Sequence, residues 1–368
     1  MGLMSTSLLA ASVALAAAKR WRHVDASRPR PQGLDEARAL HGHASRAATH
    51  AGARAMSMRD SRGCAAASPT STIDPTAYGA DPTGSKDSTD AMTAAMAALL
   101  NNTPAVSPMA DGIVNRGGAT LDLRGGEYLI SAPLVVPANN GNLRIRGGSL
   151  RASKDFPSER FLLEVGEEGC SVDVQAVCNE YIVIEDVFFD GAHVAAGCIQ
   201  VAATMGTTVG PSAFFTGFNE AGVRVLQGHE TVVSDAWLAE YYWDETPPAK
   251  ASSIGIDIHG QDNYLTNVCL RGNRTSFCVI GPTQLCTAQV IVFDYAKVGV
   301  SIDGAASILE GVHTWNGGGT GIIINGSYAR QDRLLGCYLD YNTLVLVDPT
   351  DTTVEDTFFL DTNAVRYP

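Results

Sequence analysis

Beginning at Gly255, a short stretch of β-branched and other apolar residues returns at a nearly fixed interval. Ile256-Asp257-Ile258-His259-Gly260 recurs as Cys278-Val279-Ile280-Gly281, Val300-Ser301-Ile302-Asp303-Gly304, Ile322-Ile323-Ile324-Asn325-Gly326 and Val345-Leu346-Val347-Asp348, with first residues 22, 22, 22 and 23 apart. Val223-Arg224-Val225 precedes the series, separated from it by an insertion at residues 240–253. A second strand trails each first one by about twelve residues: Val268-Cys269-Leu270, Val290-Ile291-Val292, Val312-His313-Thr314 and, slipped by three, Cys337-Tyr338-Leu339.

Strands this short, punctuated by Gly, Asn and Asp, cannot bury an apolar face alone, so successive repeats must stack. Stacking puts equivalent Ile and Val residues about 4.8 Å apart in inward ladders. The regularly placed Leu and Asn of a leucine-rich repeat are missing, which leaves an all-β parallel β-helix of about 22 residues per coil. With 37 Gly, 16 Pro and 18% charged residues, the chain is too rich in turns and too poor in charge for a coiled coil or a charged disordered protein. An open solenoid end exposes core and unpaired strand edge. Residues 87–100 read as the amphipathic capping helix that covers it, started by Ser88 or Thr89, with Ala91, Met92, Ala95, Met96 and Leu99 on one stripe.

Upstream, residues 8–18 form an apolar run ending in small residues, too short to span a bilayer, so residues 1–18 are expected to be a signal peptide. Residues 19–71 read as a low-complexity linker, and 72–368 as the solenoid domain. The Ala- and Arg-rich composition to residue 70 also fits an organelle transit peptide. Residues 1–70 hold ten basic against four acidic residues, net +6, whereas the rest holds 16 against 35, net −19. A domain that acidic repels a phosphate backbone, which excludes nucleic acid as a partner. None of the eight cysteines shows CxxC spacing, so thiolate zinc is not expected, while disulfides fit an oxidising compartment.

The segment Asp74-Pro75-Thr76-Ala77-Tyr78-Gly79-Ala80-Asp81-Pro82-Thr83-Gly84, followed by Asp87-Ser88-Thr89-Asp90-Ala91, resembles the entry motif of the pectate-lyase superfamily. Gly125-Gly126-Glu127-Tyr128 and Gly147-Gly148-Ser149-Leu150 resemble its next coils. More narrowly, Gly228-His229-Glu230-Thr231, Gly311-Val312-His313, Gly318-Gly319-Thr320-Gly321-Ile322 and Cys337-Tyr338-Leu339-Asp340-Tyr341 resemble the quartet-type polygalacturonases of plants. The resemblance implies a right-handed helix from about residue 72 to the end and hydrolysis of α-1,4-linked galacturonate in pectin-like wall polymers. The residues before the first strands, Ala221, Ile254, Phe277, Val298 and Thr320, include no acid, so the catalytic motifs of the better-known polygalacturonases do not carry over.

Glycoside hydrolysis needs two carboxyl groups, one a general acid and one a base or nucleophile. The turns returning from the trailing strand to the first offer Asp244, Glu245, Asp294 and Asp340 as catalytic candidates, although an acid in such a turn serves equally as an Asx cap. Trp243, in the Pro-stiffened insertion Tyr241-Tyr242-Trp243-Asp244-Glu245-Thr246-Pro247-Pro248, is a surface for stacking a sugar. Arg271, Arg274 and Lys297 are candidates for holding a uronate carboxylate, and His229 and His313 for substrate contact or proton transfer. No cofactor is expected, Ca²⁺ entering only if the chain is instead a lyase working by β-elimination. A non-catalytic glycan-binding solenoid is the third reading. The expected partner is a wall polysaccharide met by a secreted monomer without a membrane span.

Overall fold

The computed structural model describes residues 71–101, 109, 112–170, 177–239, 253–271, 276–280, 286–293, 298–315, 320–325, 331–340, 343–347, 352–359 and 365–366. Chain contacts divide the protein into residues 1–67 and 68–368, and all described residues lie in the second unit. The signal-peptide and linker expectations for residues 1–70 therefore fall outside the described residues. No helix among the described residues is long and apolar enough to cross a membrane.

The described residues wind as a right-handed parallel β-helix, and every strand pairing among them is parallel. Each coil lays down three strands. The first sheet runs through Phe161–Gly166, Gly197–Met205, Ala221–His229, Ile254–Gln261, Ser276–Ile280, Val298–Ile302, Thr320–Asn325 and Thr343–Val347. Ile256, Cys278, Val300 and Ile322 pair in register as one column, continued by Val223 above and Leu344 below. Ile322 faces Leu344, not Val345, because a bulge between Thr320 and Ile322 absorbs a residue. The trailing strands form the third sheet, seen in Ala236–Ala239, the end of Asn263–Arg271, His313–Trp315 and Tyr338–Asp340.

Between them lies a second sheet that the repeat did not announce, through Val232–Ser234, the start of Asn263–Arg271, Ile308–Glu310, Arg333–Leu335 and Thr353–Glu355. Its strands were hidden because the chain passes to the third sheet through a single left-handed residue, leaving no turn cluster. Gly147, Asp186, Ser212, Asp235, Asn267, Gly311, Gly336 and Asp356 occupy that corner with φ between 46° and 75°. Gly, Asn and Asp tolerate this region best, and Asn267 Nδ2 donates to Asp235 Oδ1 of the coil before at 2.5 Å.

The helix Thr89–Leu100 covers the first coils, burying Met92, Ala95, Met96 and Leu99. It starts two residues later than expected, since Asp87 ends the strand Thr83–Asp87 and its carboxylate accepts from Thr89 N at 2.9 Å. Ser88 occupies the N-cap without a side-chain cap bond; its Oγ instead accepts the Asp81 N–H at 2.9 Å.

Candidate active site

Alternation along the first sheet turns Ile256 and Ile258 inward and Asp257 and His259 outward. His259 Nε2 lies 2.8 Å from Asp257 Oδ1. Arg224, in register with Asp257 on the neighbouring strand, donates from Nε to Asp257 Oδ2 at 3.1 Å and from Nη1 to Glu220 Oε2 at 3.3 Å. The Arg224 guanidinium stacks 5.0 Å over the Phe161 ring, which fixes its plane. The column continues through Gln200 to Glu164, whose carboxylate accepts from Arg160 at 2.8 and 2.5 Å.

Burial pushes the Asp257 carboxyl up, but His259 and Arg224 together outweigh it and hold the group below the usual carboxylate range. The hydrogen bond to Asp257 raises the His259 pKa against burial, with the Asp257 and Asp303 charges adding to the rise and Arg224 opposing it. The Asp257 side chain is 9% exposed and that of His259 39%, so a ligand on this face meets the imidazole first. Asp303 follows Ile302 as His259 follows Ile258, and those two isoleucines stand two strands apart in one register column. The arrangement is an imidazolium proton donor oriented by an ionised carboxylate, with a second acid further along the same edge.

Trp243, Asp244, Glu245, Arg274, Asp294 and Lys297 lie outside the described residues. Ala239, Arg271 and Phe293, each ending a third-sheet strand, pair on consecutive rungs. These strand ends mark one edge of the solenoid, about 4.8 Å apart. Asp340 is half-buried at the end of a third-sheet strand on that edge, with its backbone paired to Trp315. His229 ends a first-sheet strand opposite Gln261, on the same side of the sheet as His259 in the next coil. His313 begins a third-sheet strand, its ring edge against Tyr338 at 4.8 Å, and so stands apart from His229. Asp190 and Asp262 are turn residues: Asp190 Oδ1 accepts from Ala192 N at 2.7 Å, and Asp262 is left-handed with φ 54°.

Sequence reasoning passed over Asp257, His259 and Asp303, though a signal was present. The position after the second strand-forming apolar residue reads His259, Gly281, Asp303 and Asn325 in four successive repeats, without an apolar side chain, until Val347 ends the series opposite Asn325. The residues that precede each first strand lie at the opposite edge of the sheet from this column.

No protein-family model matches the chain. It is 36% identical over 291 residues, 77% of its length, to the Polygalacturonase QRT3 of Arabidopsis thaliana, and it spans 54% of that relative. Among solved structures it is similar to ORF18 of Geobacillus virus E2, with a TM-score of 0.52 and 11% identity over 80% of this chain and 61% of that one. The A-module of the Azotobacter vinelandii mannuronan C-5 epimerase AlgE4 aligns at a TM-score of 0.48 and 12% identity over 80% of this chain and 91% of that one. Identities this low speak to fold alone.

Proposed function

We propose that this chain, a pectate-lyase-superfamily right-handed β-helix protein that resembles the plant quartet-type polygalacturonases, is a glycoside hydrolase acting on α-1,4-linked galacturonate in pectin-like wall polymers. The likeness to Polygalacturonase QRT3 over 77% of the chain carries the reading. The acid–imidazole pair on the first sheet supports it, because proton donation to a glycosidic oxygen is what a raised-pKa histidine at a carboxylate supplies.

In this reading the polymer lies along the outer face of the first sheet, over Asp257 and His259. His259 in its imidazolium form donates a proton to the leaving oxygen as the C1–O bond breaks, while Asp257 holds the ring. Water attacks C1 and gives its proton to a carboxylate. Asp303 fits that role from two strands away, about 9.6 Å along the axis, close to the upper end of the separation that leaves room for a water in inverting enzymes. Asp244, Glu245, Asp294 and Asp340 are the further candidates. Arg271, Arg274 and Lys297 are the candidates for holding uronate carboxylates and Trp243 for stacking on a sugar ring, and His229 and His313 remain substrate-contact candidates. Secretion to the wall fits the apolar run at residues 8–18 and the Cys170–Cys178 disulfide.

The test is a digest of polygalacturonate within a glycan panel. Hydrolysis yields reducing ends without an ultraviolet-absorbing unsaturated uronide. Appearance of that uronide replaces the reading with a lyase, and no product from any glycan replaces it with a binding solenoid.

A further inference from the structure

The second sheet carries a groove on its outer face, of about 380 Å³, lined by Thr72, Thr120, Asn142, Arg144, Arg146 and Tyr181. Arg144 and Arg146 stand two residues apart on one strand, about 6.6 Å, both turned outward. Arg144 Nη1 meets Glu185 Oε1 at 2.6 Å and Arg146 Nη2 meets Asp122 Oδ2 at 3.0 Å. The acids sit behind the cations: their side chains are 17% and 13% exposed, against 40% and 44% for the arginines. A guanidinium has five N–H donors in a planar fork, so these contacts leave donors on the groove side. In a domain of net charge −19, this face therefore presents cationic edges.

Tyr181 completes the groove. It lies opposite Asn142 where the ladder skips a pair between Gly141–Glu180 and Leu143–Ile182, and both residues are left-handed, with φ 54° and 52°. Asn tolerates that conformation, whereas a bulky aromatic rarely adopts it. The Tyr181 residue is nonetheless 55% exposed, so the fold recovers little burial in exchange for the strain. Strained residues that packing does not reward mark functional positions.

We infer that this groove binds a uronate unit of an anionic polysaccharide, its carboxylate on the Arg144–Arg146 forks and its ring against Tyr181. Planar guanidinium groups match a carboxylate bidentately, and an exposed aromatic face takes the C–H face of a pyranose. The choice of a uronate as ligand rests on the hydrolase reading; the groove itself lies on a different sheet from Asp257 and His259. A polymer held here keeps its other segments near the first sheet at raised effective concentration, which short oligomers cannot exploit.

Calorimetric titration with oligogalacturonate of about ten units, neutral galactan oligomers as control, tests this in four proteins: parent, His259→Gln, the double variant Arg144→Gln/Arg146→Gln, and Tyr181→Asn. The last variant keeps a residue suited to the left-handed backbone, so it tests the site even where loss of two ion pairs unfolds the double variant. Parent and His259→Gln should bind oligogalacturonate and not galactan, while the double variant and Tyr181→Asn should lose at least tenfold in affinity at this site. On polymer their KM should rise with kcat on a trimer unchanged. A parent that binds no uronate, or a folded Tyr181→Asn that binds as the parent does, overturns the inference. Binding that depends on these residues in a protein that cleaves no glycan supports the groove and removes the hydrolase reading; cleavage with unchanged binding in the variants does the reverse.

Discussion

Asp332 Oδ1 accepts the backbone N–H of Ser307, one coil earlier, at 2.9 Å, just as Asn263 Oδ1 accepts that of Thr231 at 3.1 Å. Both side chains belong to a column of fully buried polar residues that closes the turn between the first and second sheets. An amide serves this role without charge. A carboxylate does not: burial pushes Asp332 up to about 6, against the opposing hydrogen bonds from Ser307. Because the folded-state pKa lies above the unfolded value of 3.8, the folded form binds more protons between those values, and stability falls as pH rises from about 4 through about 6. Two pKa units correspond to roughly 3 kcal/mol at most. Asp332→Asn should therefore match the parent near pH 4 and exceed it near pH 7 in urea melts. A variant less stable than the parent at pH 7 would show that the second oxygen has a partner the charge requires.

The repeat made the stacking legible because apolar residues in a solenoid must recur with the coil, whatever else varies. It revealed two of three strands per coil, since the corner at Asn267 or Gly311 costs one residue and leaves Val268-Cys269-Leu270 looking like an isolated strand. The site was harder to see. Asp257 and His259 belong to the same strand as the core residues Ile256 and Ile258, so alternation alone marks them as ordinary outward polar positions. What distinguishes them is Arg224, which is 33 residues from Asp257 in sequence and reaches it only through the pairing of neighbouring coils. Long loops drew attention to acids such as Asp244 because length and aromatics are visible in sequence, whereas cross-coil register is not.

Gly228 tests the register between two first-sheet strands. It pairs with Thr204, has φ 76°, and a Cβ there would overlap the Thr204 carbonyl oxygen. Gly228→Ala adds left-handed strain to a clash with backbone, so a loss of roughly 2–4 kcal/mol is expected in denaturant unfolding. Full stability would mean that the strands slide past one another at this bulge.

On the third sheet, Phe188, Phe214 and Trp237 stack in register on successive rungs, with ring centroids 4.9 and 6.4 Å apart. Phe214 touches both neighbours, so Phe214→Ala should cost more than Phe188→Ala, by about 1 kcal/mol for the additional ring pair. A double-mutant cycle between positions 214 and 237 measures it, and a coupling of zero would leave the stack without energetic weight.

The sharpest prediction concerns pH dependence at the first sheet. His259 is raised by its hydrogen bond to Asp257, so its protonated form persists above the ordinary histidine value of 6.5 and is lost as pH climbs through the raised value. If the imidazolium donates the proton in catalysis, kcat/KM falls on that alkaline limb. His259→Gln should cost on the order of 10²–10⁴ in kcat and remove the limb, as loss of a general acid does, with little change in melting temperature because the side chain is substantially exposed. Asp257→Asn removes the carboxylate that raises His259, so the alkaline limb should move to lower pH while some activity remains. Arg224 keeps Glu220 as a partner in that variant, so the protein should still fold. A limb that stays in place in Asp257→Asn would separate His259 from the proton transfer.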